Sequence, residues 1–328
     1  YLKDLNIKSK DRIAAYMPNT SETVEAFLGT VAIGSIWSSC SPDFGSSGVI
    51  ERFSQIKPKV LFVTNEYFYN GKRINILERI PQITKKIPSI KHIIISNYPG
   101  QPEIKKLPSF KNVKTHHWNN IKKQKSYEFS FSKFDFEHEL AILYSSGTTG
   151  KPKCICHKAG GVLLQHLKEH QLHCDIKEND NVFYFTTCGW MMWNWLISVL
   201  ASKASIVLFD GSPMYKKEDL LLKIAEKEKI TLFGVSAKYI DALNRRESFS
   251  ETVERNKYMH IKSFPRLEEE ITAAYQFVLD KKVLPSMRSM QFAGKPIELN
   301  NSRIFNCSFL PVDHIDSFSE VMFFFAFF

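Results

Sequence analysis

The sequence predicts a parallel α/β fold. Two observations carry this: apolar runs of strand length recur along the chain, and helix-length segments separate them. Arg12–Met17 is the first run, stopped by Pro18-Asn19. Between Ser21 and Ile33, Val24, Phe27, Leu28 and Val31 recur at helical spacing, with Thr20 or Ser21 placed to cap the helix. Lys59–Thr64 and His92–Ser96 read as two further buried strands. No fixed-period repeat is present.

From Asn97 to about Phe131 the pattern dissolves into Pro, Lys and polar residues, with Lys105, Lys106, Lys111, Lys114, Lys122, Lys123 and Lys125 adding charge. A solvated basic connector is the expectation. A nucleic-acid footprint would need aromatics at regular spacing or a recognisable binding module, and neither is there. Order returns at Glu139. Leu140–Tyr144, Val182–Thr186, Ser205–Phe209 and Thr231–Val235 read as strands, and Gly160–His173, Met191–Leu200 and Leu220–Lys227 as helices. The expected organisation is a first α/β part over 1–96, a connector over 97–133, a second α/β part over 134–246, and a tail over 247–328.

Composition bounds the function. At 328 residues the chain holds about two domains' worth of sequence. Its 44% hydrophobic, 24% charged and 13% aromatic residues exclude a disordered, collagen-like or coiled-coil chain. No apolar run approaches the roughly 20 residues of a membrane span, and the apolar Met322–Phe328 is far too short. An excess of 44 basic over 34 acidic residues, +10, attracts anions without saying which. The chain opens on Tyr1, no signal or transit segment is expected, and its six cysteines form no Cys-x-x-Cys pair. A reducing, cytosolic compartment is the expectation.

The most informative stretch is Ser145-Ser146-Gly147-Thr148-Thr149-Gly150-Lys151-Pro152-Lys153, directly after an apolar strand. Its glycines allow close backbone approach to a ligand, and consecutive N–H groups can form an anion nest. Two threonine hydroxyls and two lysines add donors and charge for phosphate oxygens. The spacing is not that of a Walker loop, because Pro152 follows Lys151 and only two residues separate Gly147 from Gly150. Three smaller signals favour bland readings. His166, His170 and His173 share a helix face with Cys174 nearby, but no further ligand completes a zinc site, so packed or solvated histidines are expected. Cys154 and Cys156 alternate onto one face of a strand, where simple burial is expected. Asp43 in Asp-Phe-Gly lacks the neighbours of a kinase metal-binding triplet.

Tyr144–Lys153 resembles the phosphate-loop signature of the adenylate-forming acyl-CoA synthetases. Ile36–Gly45, Arg52–Lys59, His166–His170, Thr186–Trp195 and Val207–Pro213 extend the resemblance toward the acetoacetate-activating members, over Tyr1 to about Arg245. The resemblance implies an incomplete, layered αβα N-terminal domain of the AMP-binding fold. It also implies a two-step ligase: acetoacetate attacks ATP to give an acyl-adenylate, and coenzyme A then displaces AMP, with Mg²⁺ at the phosphates. By the family's pattern Ser146, Gly147, Thr148, Thr149, Gly150, Lys151 and Lys153 hold the phosphates, and Gly189 and Trp190 lie by the acyl pocket. Trp190, Trp193 and Trp195 read equally well as core aromatics.

After Arg245 the family's acidic residue for Mg²⁺, its ribose-binding Asp and the later domain with the catalytic Lys are not found. The catalytic residue is therefore unassigned. The remaining readings are a truncated ligase or a phosphate-binding remnant without catalysis, acting on small molecules and not on nucleic acid or membranes. Phe264–Asp280 is helical in pattern, and Leu284–Gly294 with Phe305–Asp313 resembles the start of the catalytic barrel of cobalamin-dependent-type ribonucleotide reductases. That resemblance makes Cys307 the counterpart of a redox cysteine. The tail from about 247 is thus expected to be foreign to the ligase fold.

Overall fold

The computed structural model describes residues 1–123, 131–145, 150–216, 219–244, 259–260, 296–299 and 302–307. The chain divides into two compact units. The first holds residues 1–169, 186–198 and 208–212, and the second 170–185, 199–207 and 213–328.

The first unit is built on β1 (Arg12–Tyr16), α1 (Ser21–Ala32), β2 (Ile36–Cys40), α2 (Ser46–Ile56) and β3 (Val60–Thr64). A hairpin of β4 (Glu66–Tyr69) and β5 (Lys72–Asn75) follows, then α3 (Ile80–Lys86), β6 (His92–Ser96), β7 (Lys114–His117) and α4 (Trp118–Lys122). After them come β8 (Glu139–Tyr144), β9 (Cys154–Lys158), α5 (Ala159–Leu167) and α6 (Met191–Ser198). Seven strands form one sheet in the order β7-β6-β3-β1-β2-β8-β9. Every pairing is parallel except the β8–β9 hairpin.

The central strands are buried end to end, as a parallel sheet covered on both faces requires. α1 turns Val24, Ala26 and Phe27 inward, and Phe27 meets the rings of Trp37 and Trp193 edge-on. α2 turns Val49, Phe53 and Ile56 inward among Tyr16, Tyr67, Ile80, Ile83 and Ile93. α2 stops at Lys57, whose φ of +49° is left-handed, and Pro58 cannot continue a helix.

The second unit is a six-stranded sheet in the order β11-β10-β12-β15-β14-β13. Its strands are β10 (Asn181–Tyr184), β11 (Ser205–Val207), β12 (Leu232–Ser236), β13 (Met259–His260), β14 (Pro296–Leu299) and β15 (Ser302–Cys307), with helices α7 (Leu220–Lys227) and α8 (Ala237–Asn244). Phe183 and Phe233 stack at its centre with centroids 5.1 Å apart.

Several sequence expectations need correction. The segment read as a connector contains β7 and α4, and β7 pairs in parallel with β6 as the sheet's edge. The helix expected over 160–173 ends at Leu167 and continues as one wide turn, Lys168–His173. Thr20 is the N-cap of α1, yet its side chain bonds no helix N–H; its hydroxyl lies 3.5 Å from that of Thr23. Phe264–Asp280 and most of the tail lie outside the described residues.

Candidate functional site: a phosphate-loop hairpin and an adjoining pocket

β8 and β9 hold the ends of the predicted phosphate loop. Tyr144 pairs with Cys154, and one step further Ser145 N donates to the Lys153 carbonyl at 3.0 Å. Lys153 N returns a bond to Ser145 Oγ at 3.0 Å. The loop is therefore closed at its base by a residue pair from its own motif. Ser146, Gly147, Thr148 and Thr149 lie outside the described residues. Gly150 has a φ of +151°, a region open to glycine and little else, and among the described residues no atom beyond its chain neighbours lies within 4 Å of where a Cβ would stand. Gly150→Ala is thus opposed by conformation and not by contact. It should lower stability by about 1–3 kcal/mol, as measured by urea unfolding.

Lys151 and Lys153 are exposed, and Pro152 between them is buried. The Pro152 carbonyl accepts from Gln55 Nε2 at 2.9 Å, and Gln55 Oε1 accepts from the Cys154 thiol at 3.7 Å. One turn earlier on α2, the Arg52 guanidinium lies 4.3 Å from the Phe44 ring centroid and 5.9 Å from that of Tyr144. α2 thereby fixes both the strand end and the loop's return. Arg52 and Gln55 stood in the sequence only as part of a resembling string.

Beside this hairpin lies a small recess, partly open to solvent, with room for about one water molecule. Trp37 and Ser39 of β2, Ala141–Leu143 of β8, Gly189 and Asn194 line it. A Cβ at Gly189 would stand in ordinary contact, 3.4 Å from Ser41 N and 3.5 Å from the Phe44 ring. Trp190 does not line the pocket and is 42% exposed. Trp193 and Trp195 are core residues: Trp193 stacks on Trp37 and donates to Asn19 Oδ1 at 2.8 Å, and Trp195 donates to Glu169 Oε2 at 2.8 Å.

A half-buried carboxylate sits at the carboxyl ends of β1 and β6. Asp210 Oδ1 accepts from Asn19 N at 3.1 Å, and Oδ2 accepts from the Tyr98 hydroxyl at 3.0 Å. Burial pushes Asp210 up to about 6 against these two bonds, and Asp43 adds to the rise. An Asp ending the apolar run Val207-Leu208-Phe209 was the available signal for it.

The remaining sequence candidates resolve as follows. His166 and His170 are fully buried, and His166 Nδ1 lies 2.5 Å from Ser198 Oγ. Among the described residues no three His, Cys, Asp or Glu side chains converge as metal ligands. Cys154 and Cys156 do share a face of β9, but both are exposed, because β9 is the last strand of its sheet. Asp43 accepts from the Ser41 hydroxyl. Cys307 ends β15, whose backbone pairs in parallel with β12. Among the described residues no helix is long and apolar enough to cross a membrane.

Comparison with known proteins agrees with this geometry. The family described as "AMP-binding enzyme" matches residues 1–314. An acetoacetyl-coenzyme A synthetase of Rhizobium meliloti is 46% identical over 244 residues, which are 74% of this chain and 37% of that protein. A malonamoyl-CoA synthetase of Penicillium aethiopicum is 38% identical over 270 residues, 78% of this chain and 37% of its own. Among solved structures, the acetoacetyl-CoA synthetase of Streptomyces lividans superposes with a TM-score of 0.69 at 38% identity, covering 74% of this chain and 36% of that one. The chain thus spans 37% of the length of the first curated relatives it matches. On its match over 1–314 and these identities, the chain belongs to the AMP-binding enzymes.

Proposed function

We propose that this chain carries the phosphate loop and acyl pocket of an acetoacetate–CoA ligase. The observation that supports it most is the closed Ser145–Lys153 hairpin standing beside a neutral pocket that Gly189 lines. In the reaction, a carboxylate oxygen of acetoacetate bonds to the α-phosphorus of ATP as the bond to pyrophosphate breaks. The coenzyme A thiolate then attacks the acyl carbon, and AMP leaves with the electron pair. The first step converts a poor leaving group into a good one.

The first step gathers negative charge around phosphorus and on the departing pyrophosphate, and preorganised donors answer that need. In this reading Ser146, Gly147, Thr148, Thr149 and Gly150 present hydroxyl and backbone donors to the phosphates. The exposed Lys151 and Lys153 supply the positive charge. The acyl group, in the same reading, lies on the Gly189 side of the hairpin. Mg²⁺ travels with ATP, but the described residues bring no three ligands together, so they build no Mg²⁺ site of their own and no step is assigned to it. Cys40, Cys154, Cys156 and Cys188 form no disulfide, which suits a reducing cytosol.

ATP with Mg²⁺, titrated into the purified chain, should shift the backbone NMR resonances of Gly150, Lys151 and Lys153. Lys153→Ala should weaken binding about tenfold or more, the worth of one charge-assisted bond to a phosphate. Labelled pyrophosphate exchanging into ATP well above the level of that variant would add adenylation to binding. No shift at those three residues would end the ligase reading.

A further inference from the structure

We propose that Cys154 and Cys156 form a two-thiolate site for a soft monovalent cation such as Cu(I). The site belongs to β9 itself and is independent of the ligase reading. Cys154 and Cys156 alternate along an extended strand, so their side chains leave the same face. Both are exposed, and neither is in a disulfide. Partial burial raises both thiols, and Cys156 adds to the rise at Cys154, as two sulfurs in one neighbourhood should.

The strand spacing selects what can join them. Alternate residues of a strand stand roughly 6.6 Å apart. A disulfide needs its Cβ atoms at about 3.5–4.5 Å, which an extended β9 does not offer. A bridging cation spans the larger gap, because it inserts two metal–sulfur bonds of roughly 2.3 Å each between the thiolates.

The neighbours select the ion. Lys158 follows on the same face, and its Nζ lies 3.4 Å from Glu139 Oε1. Among the described residues no third His, Cys, Asp or Glu converges on the pair as a ligand. A structural zinc takes four ligands, and Ca²⁺ or Mg²⁺ takes oxygens. Two thiolates alone suit a soft cation that is content with two. Binding is an exchange of protons without electron transfer: two thiols and one Cu(I) give a bis-thiolate complex of charge −1 and two released protons.

This site adjoins the loop. The Cys154 thiol donates to Gln55 Oε1 at 3.7 Å, and Gln55 Nε2 donates to the Pro152 carbonyl at 2.9 Å. A cation on Cys154 takes the place of the proton that Gln55 accepts, so occupancy is felt at the loop's return.

The full chain, reduced and kept under nitrogen, is titrated with Cu(I) buffered by a chromogenic chelator. One equivalent should bind most tightly, and X-ray absorption at that loading should show two sulfur neighbours. Its affinity should rise about a hundredfold from pH 6 to pH 7, the mark of two released protons. Cys154→Ser and Cys156→Ser should each weaken it at least a hundredfold, whereas Cys174→Ser should leave it unchanged. The Lys153 amide resonance should move on loading. Phenylarsine oxide, which condenses with two thiols and releases water, should protect Cys154 and Cys156 together from alkylation in the unaltered chain. A tenfold pH step, an affinity that survives either Cys154→Ser or Cys156→Ser, or alkylation of both cysteines in the presence of the arsenical overturns the site. A tightly loaded chain with an unmoved Lys153 resonance overturns its link to the loop.

Discussion

Replacing Trp193 with alanine is expected to cost the first unit about 3–5 kcal/mol. The indole is fully buried, stacked on Trp37 at 6.2 Å and 16°, and met edge-on by Phe27 at 5.6 Å. Its removal leaves a cavity in a cluster that includes Phe62 and Trp118, and closely packed interiors do not collapse to fill such a space. It also strands Asn19 Oδ1, which accepts the indole N–H. Trp193→Phe should recover most of the loss and still forfeit about 1 kcal/mol for that bond. Urea unfolding of the three proteins checks both values. A loss below 1 kcal/mol for the alanine variant would mean that the aromatic cluster does not hold the unit together.

The second large effect depends on pH. Burial raises the Asp210 carboxyl to about 6, while the unfolded chain titrates near 3.8. A raised carboxyl favours the protonated fold, so its stabilising contribution is complete below about pH 3.8 and is lost as pH climbs through 6. The gap corresponds to about 2–3 kcal/mol. Asp210→Asn keeps the shape and an acceptor for Asn19 N, and it cannot ionise. It should therefore be more stable than wild type by about 2–3 kcal/mol at pH 7.5, with the difference closing toward zero by pH 4. Chemical denaturation across that range decides it. A pH-independent gap would show that ionisation of Asp210 is not what separates the two proteins.

The sequence made some elements plain and concealed others, for physical reasons. His92–Ser96 and Leu220–Lys227 were legible to the residue, because β-branched runs and strong amphipathic spacing are local signals. β2 was not read as a strand, since Ser38-Ser39-Cys40 suggests a turn. Its hydroxyls are satisfied from elsewhere in the fold, Ser38 Oγ donating to the Ile142 carbonyl at 2.8 Å, and local pattern does not contain such a bond. β7 was hidden by its lysine and histidines, which an edge strand can keep partly in water. In the site, Gly150 and Gly189 announced themselves as glycines inside a motif. Gln55 did not, because an amide on a helix becomes informative only when the Pro152 carbonyl it meets is known.

The sheet order also bears on how the protein reaches its fold. Strands β1, β2, β3, β6 and β7 all fall within the first 117 residues and are joined by neighbouring crossovers. β8 must come back to β2 across about 100 intervening residues, an entropic closure that rewards the chain only after the early strands have assembled. The β8–β9 hairpin is therefore the last part of its sheet to dock. Refolding followed by stopped-flow should find the Trp37, Phe62 and Trp118 contacts forming ahead of any competence to bind ATP.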